Sequence, residues 1–184
     1  MNGRSSSRFQ LAELKRRVAS ALTVIVVHAR PAETRRYNRA PEKPINEVKT
    51  YRHNVAVHWG DTDPARIVFY PNYFEWFDQS TRLFFDSVGL DWDSLGKKYG
   101  IMGLPIVEAK ARFLAPCKFR DEIVIESQVG KWSDKTFEVG HIVLNRGLRA
   151  VQGYEIRVWA HRHPEDPDRL KAMPIPAEIK AAFE

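Results

Sequence analysis

Four successive segments in the C-terminal half of the chain alternate apolar and polar residues, and this alternation constrains the fold more than any other feature. They span residues 104–114, 122–132, 135–144 and 151–161. A period of two residues is typical of β-strands that bury one face. The connections between the segments are short and rich in turn residues, which favours antiparallel neighbours. The four segments therefore predict an antiparallel sheet.

A strongly aromatic segment precedes these strands. Residues 72–88 predict a long helix, because large apolar side chains recur near helical spacing and form one aromatic face. These side chains include Tyr73, Trp76, Phe77, Phe84 and Val88. Asn72 and Glu75 have the spacing of a capping box, and Gly89 is suited to end the helix.

The remaining segments of the same part of the chain complete the predicted architecture. Residues 48–59 are rich in Val, Tyr and His in alternation, which predicts a further strand. Residues 91–99 and 174–183 predict two shorter helices. A long helix with a wide aromatic face needs a sheet to bury it. The expected fold is therefore α+β, a curved antiparallel sheet of about five strands wrapped around one long helix.

The charge of the chain is unevenly distributed. The 184 residues carry a net charge of +6, but residues 1–45 contain 10 Lys and Arg against 3 Asp and Glu, whereas residues 46–184 contain 19 against 20. We therefore expect residues 1–45 to be a basic, flexible extension and residues 46–184 to be the folded domain. The near-neutral domain gives no electrostatic reason to expect a nucleic-acid partner.

Composition bears on the cellular location of the protein. No run of 18 or more apolar residues is present, which disfavours a membrane-spanning helix. The apolar run at residues 22–27 is too short, and the basic stretch before it too long, for a typical secretory signal. One cysteine excludes an intrachain disulfide framework and fits a reducing compartment. The expected location is cytoplasmic, with no membrane partner.

The loop between the first strand and the long helix carries the residues best suited to chemistry. Asp61 and Asp63 lie two positions apart in it. Loop carboxylates often only cap or orient a turn. Alternatively, one of them faces a pocket at the start of the helix, where unpaired backbone N–H groups carry partial positive charge. Such N–H groups can polarise a carbonyl, which a carboxylate can then attack directly or through water.

At this loop the sequence resembles the 4-hydroxybenzoyl-CoA thioesterases of the hotdog fold. The resemblance rests on five stretches in the same order: residues 60–73, 103–107, 131–137, 155–159 and 169–176. It implies a sheet wrapped around a central helix, two chains that share one continuous sheet, and active sites at the subunit boundary. It also implies hydrolysis of an acyl-CoA thioester, with no metal or redox cofactor.

The resemblance assigns roles to individual residues. Asp63 matches the catalytic aspartate, which acts as nucleophile or general base. Tyr70 matches the residue whose backbone N–H polarises the thioester carbonyl, and Asp78 matches a position that contacts a hydroxyl on the aromatic ring of the substrate. The positions that hold the phosphates of coenzyme A are matched by three basic residues: Lys135, Arg169 and Lys171. Asp61 is expected to orient the loop rather than to catalyse.

One departure and two alternatives remain. Ser133 and Asp134 stand where the best-known member of the family has two arginines, which weakens the expected phosphate grip. The expected activity is hydrolysis of an aromatic acyl-CoA, of the benzoyl or hydroxybenzoyl type, by a homodimer or homotetramer. One alternative is a thioesterase for short aliphatic acyl-CoA, but such an enzyme usually carries His within the segment that matches residues 70–73, where this chain has none. The other alternative is a non-catalytic module that only binds acyl-CoA, but such a module would not need Asp63.

Overall fold

The structure of the protein is a computed structural model that describes residues 49–166 and 168–184. Its strands are β1 (Tyr51–Ala56), β2 (Ile101–Gly103), β3 (Ile106–Phe113), β4 (Glu122–Trp132), β5 (Thr136–Asn145), β6 (Leu148–Val158), β7 (Ala160–Arg162) and β8 (Leu170–Ala172). Its helices are α1 (Pro71–Ser87), α2 (Trp92–Tyr99) and α3 (Ala177–Ala181), with a 3-10 turn at Trp59–Asp61. The expected basic extension, residues 1–45, lies outside the described residues.

The main layer is a five-stranded antiparallel sheet with the strand order β1–β4–β5–β6–β3. This confirms the predicted sheet of about five strands. The alternation pattern does not predict the second sheet, in which β2, β7 and β8 pair. It arises because the segment predicted as one strand over residues 151–161 is interrupted at Trp159. The Trp159 N–H still donates to the Lys135 carbonyl in the register of the main sheet, whereas the Trp159 carbonyl accepts the Met173 N–H, each at 2.9 Å. After this residue β7 pairs with β2 and β8.

The long helix α1 packs its aromatic face against the main sheet, as the sequence predicts. The Phe77 ring stacks on the His141 ring of β5, with 4.5 Å between centroids and an angle of 4°. Gly153 of β6 makes this approach possible. A Cβ there would lie 2.7 Å from the Phe77 ring and 2.5 Å from the Lys110 carbonyl oxygen, so a side chain would force the helix and sheet apart.

The start of α1 differs from the predicted capping box. The helix begins at Pro71, whose fixed φ suits the first helical position, and Tyr70 is its N-cap without a side-chain cap. The Asn72 side-chain amide instead donates to the Asp61 carbonyl at 2.8 Å. The prediction was wrong because this amide finds a partner in the preceding loop, and the contact fastens the helix start to that loop. Gly89, with φ of 77°, follows the helix as predicted.

Candidate active site

Asp61 holds the loop between β1 and α1 in shape. Its carboxylate accepts the His58 backbone N–H at 2.7 Å. Its carbonyl accepts both the Phe69 N–H and the Asn72 side-chain amide, each at 2.8 Å. One residue thus connects the start of the loop to the start of the helix, which supports the orienting role expected for Asp61.

Asp63 is half-buried and is oriented by the turn that follows it. Its Oδ1 atom accepts the Ala65 N–H at 2.8 Å, and its own N–H donates to the Ile67 carbonyl at 2.9 Å. Its second carboxylate oxygen accepts no hydrogen bond within the part of the chain that the structure describes. Asp63 lines a cleft of about 380 Å³ together with Trp59, Thr62, Pro64 and Arg66. A carboxylate with one fixed and one available oxygen therefore borders a cleft.

Tyr70 presents an available donor at the other end of the same loop. Its backbone N–H, at the start of α1, meets no acceptor among residues 49–166 and 168–184. Helix N-termini carry partial positive charge, so this N–H is suited to an incoming carbonyl oxygen. Tyr70 is not among the residues that line the cleft. The Asp61 carbonyl accepts the N–H of Phe69, the residue before Tyr70. This hydrogen bond connects the part of the loop that carries Asp63 to the part that carries Tyr70.

Asp78 lies farther along α1, and its carboxylate is mostly exposed. It comes eight residues after Tyr70, which corresponds to about 12 Å along the helix axis. One of its oxygens, Oδ1, lies 2.6 Å from an Arg157 guanidinium nitrogen. A single chain therefore does not place Asp78 beside the Tyr70 N–H.

The three predicted phosphate-binding residues lie together at the opposite end of the sheet from Asp63. Lys135 is in the β4–β5 turn, and Lys171 pairs with His161 in the small sheet, next to Arg169. All three are exposed and form no ion pair with another described residue. The loop that carries Asp63 leaves the sheet at the other end, where the Val57 N–H donates to the Asp121 carbonyl just before β4 begins. The 11 residues of β4 separate the two ends by about 33 Å.

A buried polar cluster under α1 went unrecognised in the sequence. Glu155 and Arg157 of β6 are buried against the helix, beside Thr81 and His141. Burial would raise the pKa of Glu155, but hydrogen bonding with His141 and the charge of Arg157 outweigh it and hold that pKa below its usual value. Burial lowers the pKa of His141. The sequence did contain a signal for this cluster. Glu155 and Arg157 fall on the same face of the predicted strand as the apolar residues Val151 and Trp159.

Arg66 is a second feature that the sequence did not mark. It lines the cleft with Asp63 and adopts φ of 63°, a left-handed conformation uncommon for residues other than glycine. Its N–H donates to the Asp63 carbonyl at 2.8 Å. This tight turn helps to fix the backbone of Asp63.

The described residues contain neither a metal-binding cluster nor a membrane-spanning helix. No group of three or more His, Cys, Asp or Glu side chains is placed to hold a metal ion among residues 49–166 and 168–184. No helix in the same ranges is both long and apolar enough to cross a membrane.

Comparisons with known proteins agree with this architecture. Residues 57–183 match the model of the thioesterase-like superfamily. The 4-hydroxybenzoyl-CoA thioesterase of Pseudomonas sp. (strain CBS-3) is 34% identical over 128 residues, which cover 66% of this chain and 89% of that protein. The 1,4-dihydroxy-2-naphthoyl-CoA hydrolase of Thermosynechococcus vestitus is 26% identical over 132 residues, which cover 70% of this chain and 88% of that protein.

Solved structures give the same result. A mutant 4-hydroxybenzoyl-CoA thioesterase in complex with 4-hydroxybenzoyl-CoA superposes with a TM-score of 0.68 and 32% identity, over 73% of this chain and 99% of that one. A gentisyl-coenzyme A thioesterase gives 0.61 and 37%, over 72% and 99%. The fold is thus the hotdog fold, with a sheet packed on a central helix. The chain belongs to the thioesterase-like superfamily, which confirms the family predicted from the sequence.

Proposed function

We propose that the protein is an acyl-CoA thioesterase that hydrolyses an aromatic acyl-CoA, of the benzoyl or hydroxybenzoyl type, to the acid and free coenzyme A. The observation that carries this proposal is the loop that presents an oriented Asp63 carboxylate in a cleft and an available Tyr70 N–H at a helix start. The similar proteins named above act, by their names, on aromatic acyl-CoA thioesters, which supports the aromatic class.

The two groups on the loop supply complementary parts of the reaction. The Tyr70 N–H donates to the thioester carbonyl and stabilises the negative charge that develops on its oxygen. As general base, Asp63 takes a proton from water while the water oxygen attacks the carbonyl carbon, and the departing thiolate then receives the proton. As nucleophile, Asp63 attacks that carbon itself, the thiolate leaves, and water hydrolyses the resulting anhydride. Both routes use the same geometry.

The remaining predicted residues bind the two ends of the substrate. We assign Asp78 to a hydroxyl on the aromatic ring, and Lys135, Arg169 and Lys171 to the phosphates of coenzyme A. Because the three basic residues lie at the opposite end of the sheet from Asp63 within one chain, the proposed site is built by two chains. Asp63 and Tyr70 come from one copy, and the ring and phosphate contacts come from a second copy.

The edge of the main sheet offers a surface for that second copy. Strand β3 is an edge strand, and its first residues Ile106 and Val107 are 42% and 63% exposed. Unpaired strand edges readily pair with another chain, and two-fold pairing is the commonest arrangement in homo-oligomers. We propose a homodimer formed through β3, with a tetramer as a dimer of such dimers.

The setting follows from the same reasoning. We propose that the enzyme works in the cytoplasm without a nucleic-acid or membrane partner. The near-neutral charge of residues 46–184 and the single buried Cys117 support this.

A hydrolysis screen with a matched variant tests the proposed activity. Purified wild type and Asp63→Asn are assayed for thiol release from benzoyl-, hydroxybenzoyl-, phenylacetyl- and short aliphatic CoA esters. We expect the wild type to prefer the aromatic esters and the variant to have lost most activity on all of them. Preference for the aliphatic esters would establish the aliphatic alternative. Tight binding without turnover by the wild type would establish the binding-module alternative.

A further inference from the structure

Every nitrogen of the buried Arg157 guanidinium donates a hydrogen bond. The side chain is only 3% exposed. Its Nε and one terminal nitrogen donate to Glu155 Oε2 at 3.1 and 2.7 Å, and that terminal nitrogen also reaches Asp78 Oδ1 at 2.6 Å. The other terminal nitrogen donates to the Leu104 carbonyl at 3.2 Å. All three nitrogens are used, so the plane and position of the guanidinium are fixed.

Glu155 fixes the arginine from the other side. The carboxylate is fully buried, and its Oε2 atom also accepts the Thr81 hydroxyl at 3.1 Å. Thr81 lies three residues after Asp78, on the same side of α1. Two side chains of the helix are thereby joined to two residues of β6, so the helix cannot rotate or slide locally without breaking these contacts.

Stability alone is a poor explanation for this arrangement. A buried ion pair loses hydration that its attraction only partly recovers, and well-packed apolar residues often serve as well or better. The buried pair of Glu155 and Arg157 instead fixes the position of Asp78, the residue of this cluster that reaches solvent. Asp78 is 62% exposed; one oxygen is held by Arg157, and the other accepts no hydrogen bond within residues 49–166 and 168–184.

We infer that Arg157, held by Glu155, is a positioning residue that orients the free oxygen of Asp78 as a fixed acceptor for a hydrogen-bond donor on the acyl ring. This inference rests on the proposed function. An ionised carboxylate only accepts hydrogen bonds, and the cluster of one arginine with two acidic residues has a net negative charge. The site therefore favours ring substituents that donate, such as hydroxyl or amino. It disfavours those that cannot, such as fluoro, methoxy or carboxylate.

The geometry of arginine is essential to this role. A lysine keeps the positive charge but replaces the planar fork with one compact ammonium group. It cannot reach Glu155, the Leu104 carbonyl and Asp78 together. Arg157→Lys therefore preserves the charge balance of the buried pair while releasing Asp78, which makes it a sharper test than a neutral substitution.

The experiment compares kcat/KM for 4-hydroxy-, 4-amino-, 4-fluoro- and unsubstituted benzoyl-CoA in the wild type, Arg157→Lys, Asp78→Asn and the double variant. Arg82→Lys, at an exposed pair on the same helix, is the matched control. A hydrogen bond to a charged acceptor corresponds to roughly tenfold to a hundredfold. We expect the wild type to favour the hydroxy and amino esters by that factor over the fluoro ester. Arg157→Lys should remove most of this preference while kcat/KM for benzoyl-CoA changes less than threefold.

The double variant identifies the route of the effect. If Arg157 acts through Asp78, adding Arg157→Lys to Asp78→Asn causes no further loss of selectivity. Thermal unfolding of each variant shows whether it is folded, and a general loss of structure would lower all four esters equally. An unchanged hydroxy-to-fluoro ratio in Arg157→Lys, or an equal loss on all esters, would overturn the inference while leaving the thioesterase assignment intact. Failure of the wild type to hydrolyse any of the four would overturn both.

Discussion

The two ends of the main sheet are built differently. At one end, hydrogen bonds from backbone and side-chain groups within residues 58–73 fix Asp63 and Tyr70. At the other end, the basic side chains of Lys135, Arg169 and Lys171 extend into solvent without ion pairs to described residues. Stabilising a developing charge requires groups that are already in place. Holding phosphates requires positive charge within reach, which flexible side chains supply.

The largest effect is expected at the ordered end. Asp63→Asn keeps the shape of the side chain but removes its charge and basicity. General-base assistance is worth roughly 10²–10⁴ in rate, so kcat should fall by at least about 10² with KM little changed. Steady-state kinetics with the best aromatic ester measure this.

Asp61→Asn is the matched control, because it is an isosteric change two residues away in the same loop. The contacts of the Asp61 carbonyl survive it, so kcat should fall much less. Equal losses in the two variants would show that the loop, rather than the Asp63 carboxylate, limits the rate.

Smaller effects, of a different kind, are expected at the basic end. Each of Lys135→Ala, Arg169→Ala and Lys171→Ala should raise KM about twofold to fivefold with little change in kcat, since exposed ion pairs contribute modestly. High salt should shrink the effect, because it screens exposed charges. Arg52→Ala, at an exposed ion pair on β1, controls for the loss of one positive charge. If KM is unchanged in all three variants, these residues do not bind the phosphates.

The buried cluster between the two ends predicts a pH dependence of stability. The lowered pKa of His141 lies below its ordinary value of 6.5, so below pH 6.5 the unfolded chain binds a proton that the folded chain does not. Stability should therefore fall as the pH drops from 6.5, by up to about 1.4 kcal/mol per pH unit for this group. Glu155, whose pKa is also lowered, adds to the loss at lower pH.

Urea unfolding at pH 8, 6.5, 5.5 and 5 measures this slope. His141→Gln should reduce the slope between pH 6.5 and 5.5. A wild-type stability that is constant over that range would show that His141 titrates normally in the folded state.

The smallest effect is expected for residues 1–45, which lie outside residues 57–183, the part that matches the family, and have no role in the comparison of the two ends. Removing them should leave kcat and KM within about twofold of the values for the full chain, because the proposed catalytic and binding residues all lie in residues 46–184. A large loss of kcat in the shortened protein would show that these residues contribute to the site.

Much of the fold was predictable, because it depends on patterns that are local in sequence. The alternation in β4 and the aromatic spacing of α1 predicted those elements to within one residue. The interruption at Trp159 and the cap of α1 were not predictable, since each depends on a hydrogen bond with a partner elsewhere in the chain, Met173 and Asp61 respectively.

The candidate site divides in the same way. Asp63 and Tyr70 lie in one contiguous motif and could be chosen from the sequence. The contact between Asp78 and Arg157 joins residues 79 positions apart, so only the folded chain reveals it. The two charged residues on the buried face of β6 were the one hint, because charges there must find partners.

The central claim is that a complete site takes Asp63 from one chain and the basic residues from another, and subunit mixing tests it most directly. An Asp63→Asn chain is co-expressed with a chain in which Lys135, Arg169 and Lys171 are each changed to Glu, and the mixed oligomer is purified through two different tags. Each parent alone should be nearly inactive at a substrate concentration below KM. In the mixed dimer, one site combines an intact Asp63 with intact basic residues, so we expect close to half of the wild-type activity. Activity no higher than the average of the two parents would contradict the two-chain site.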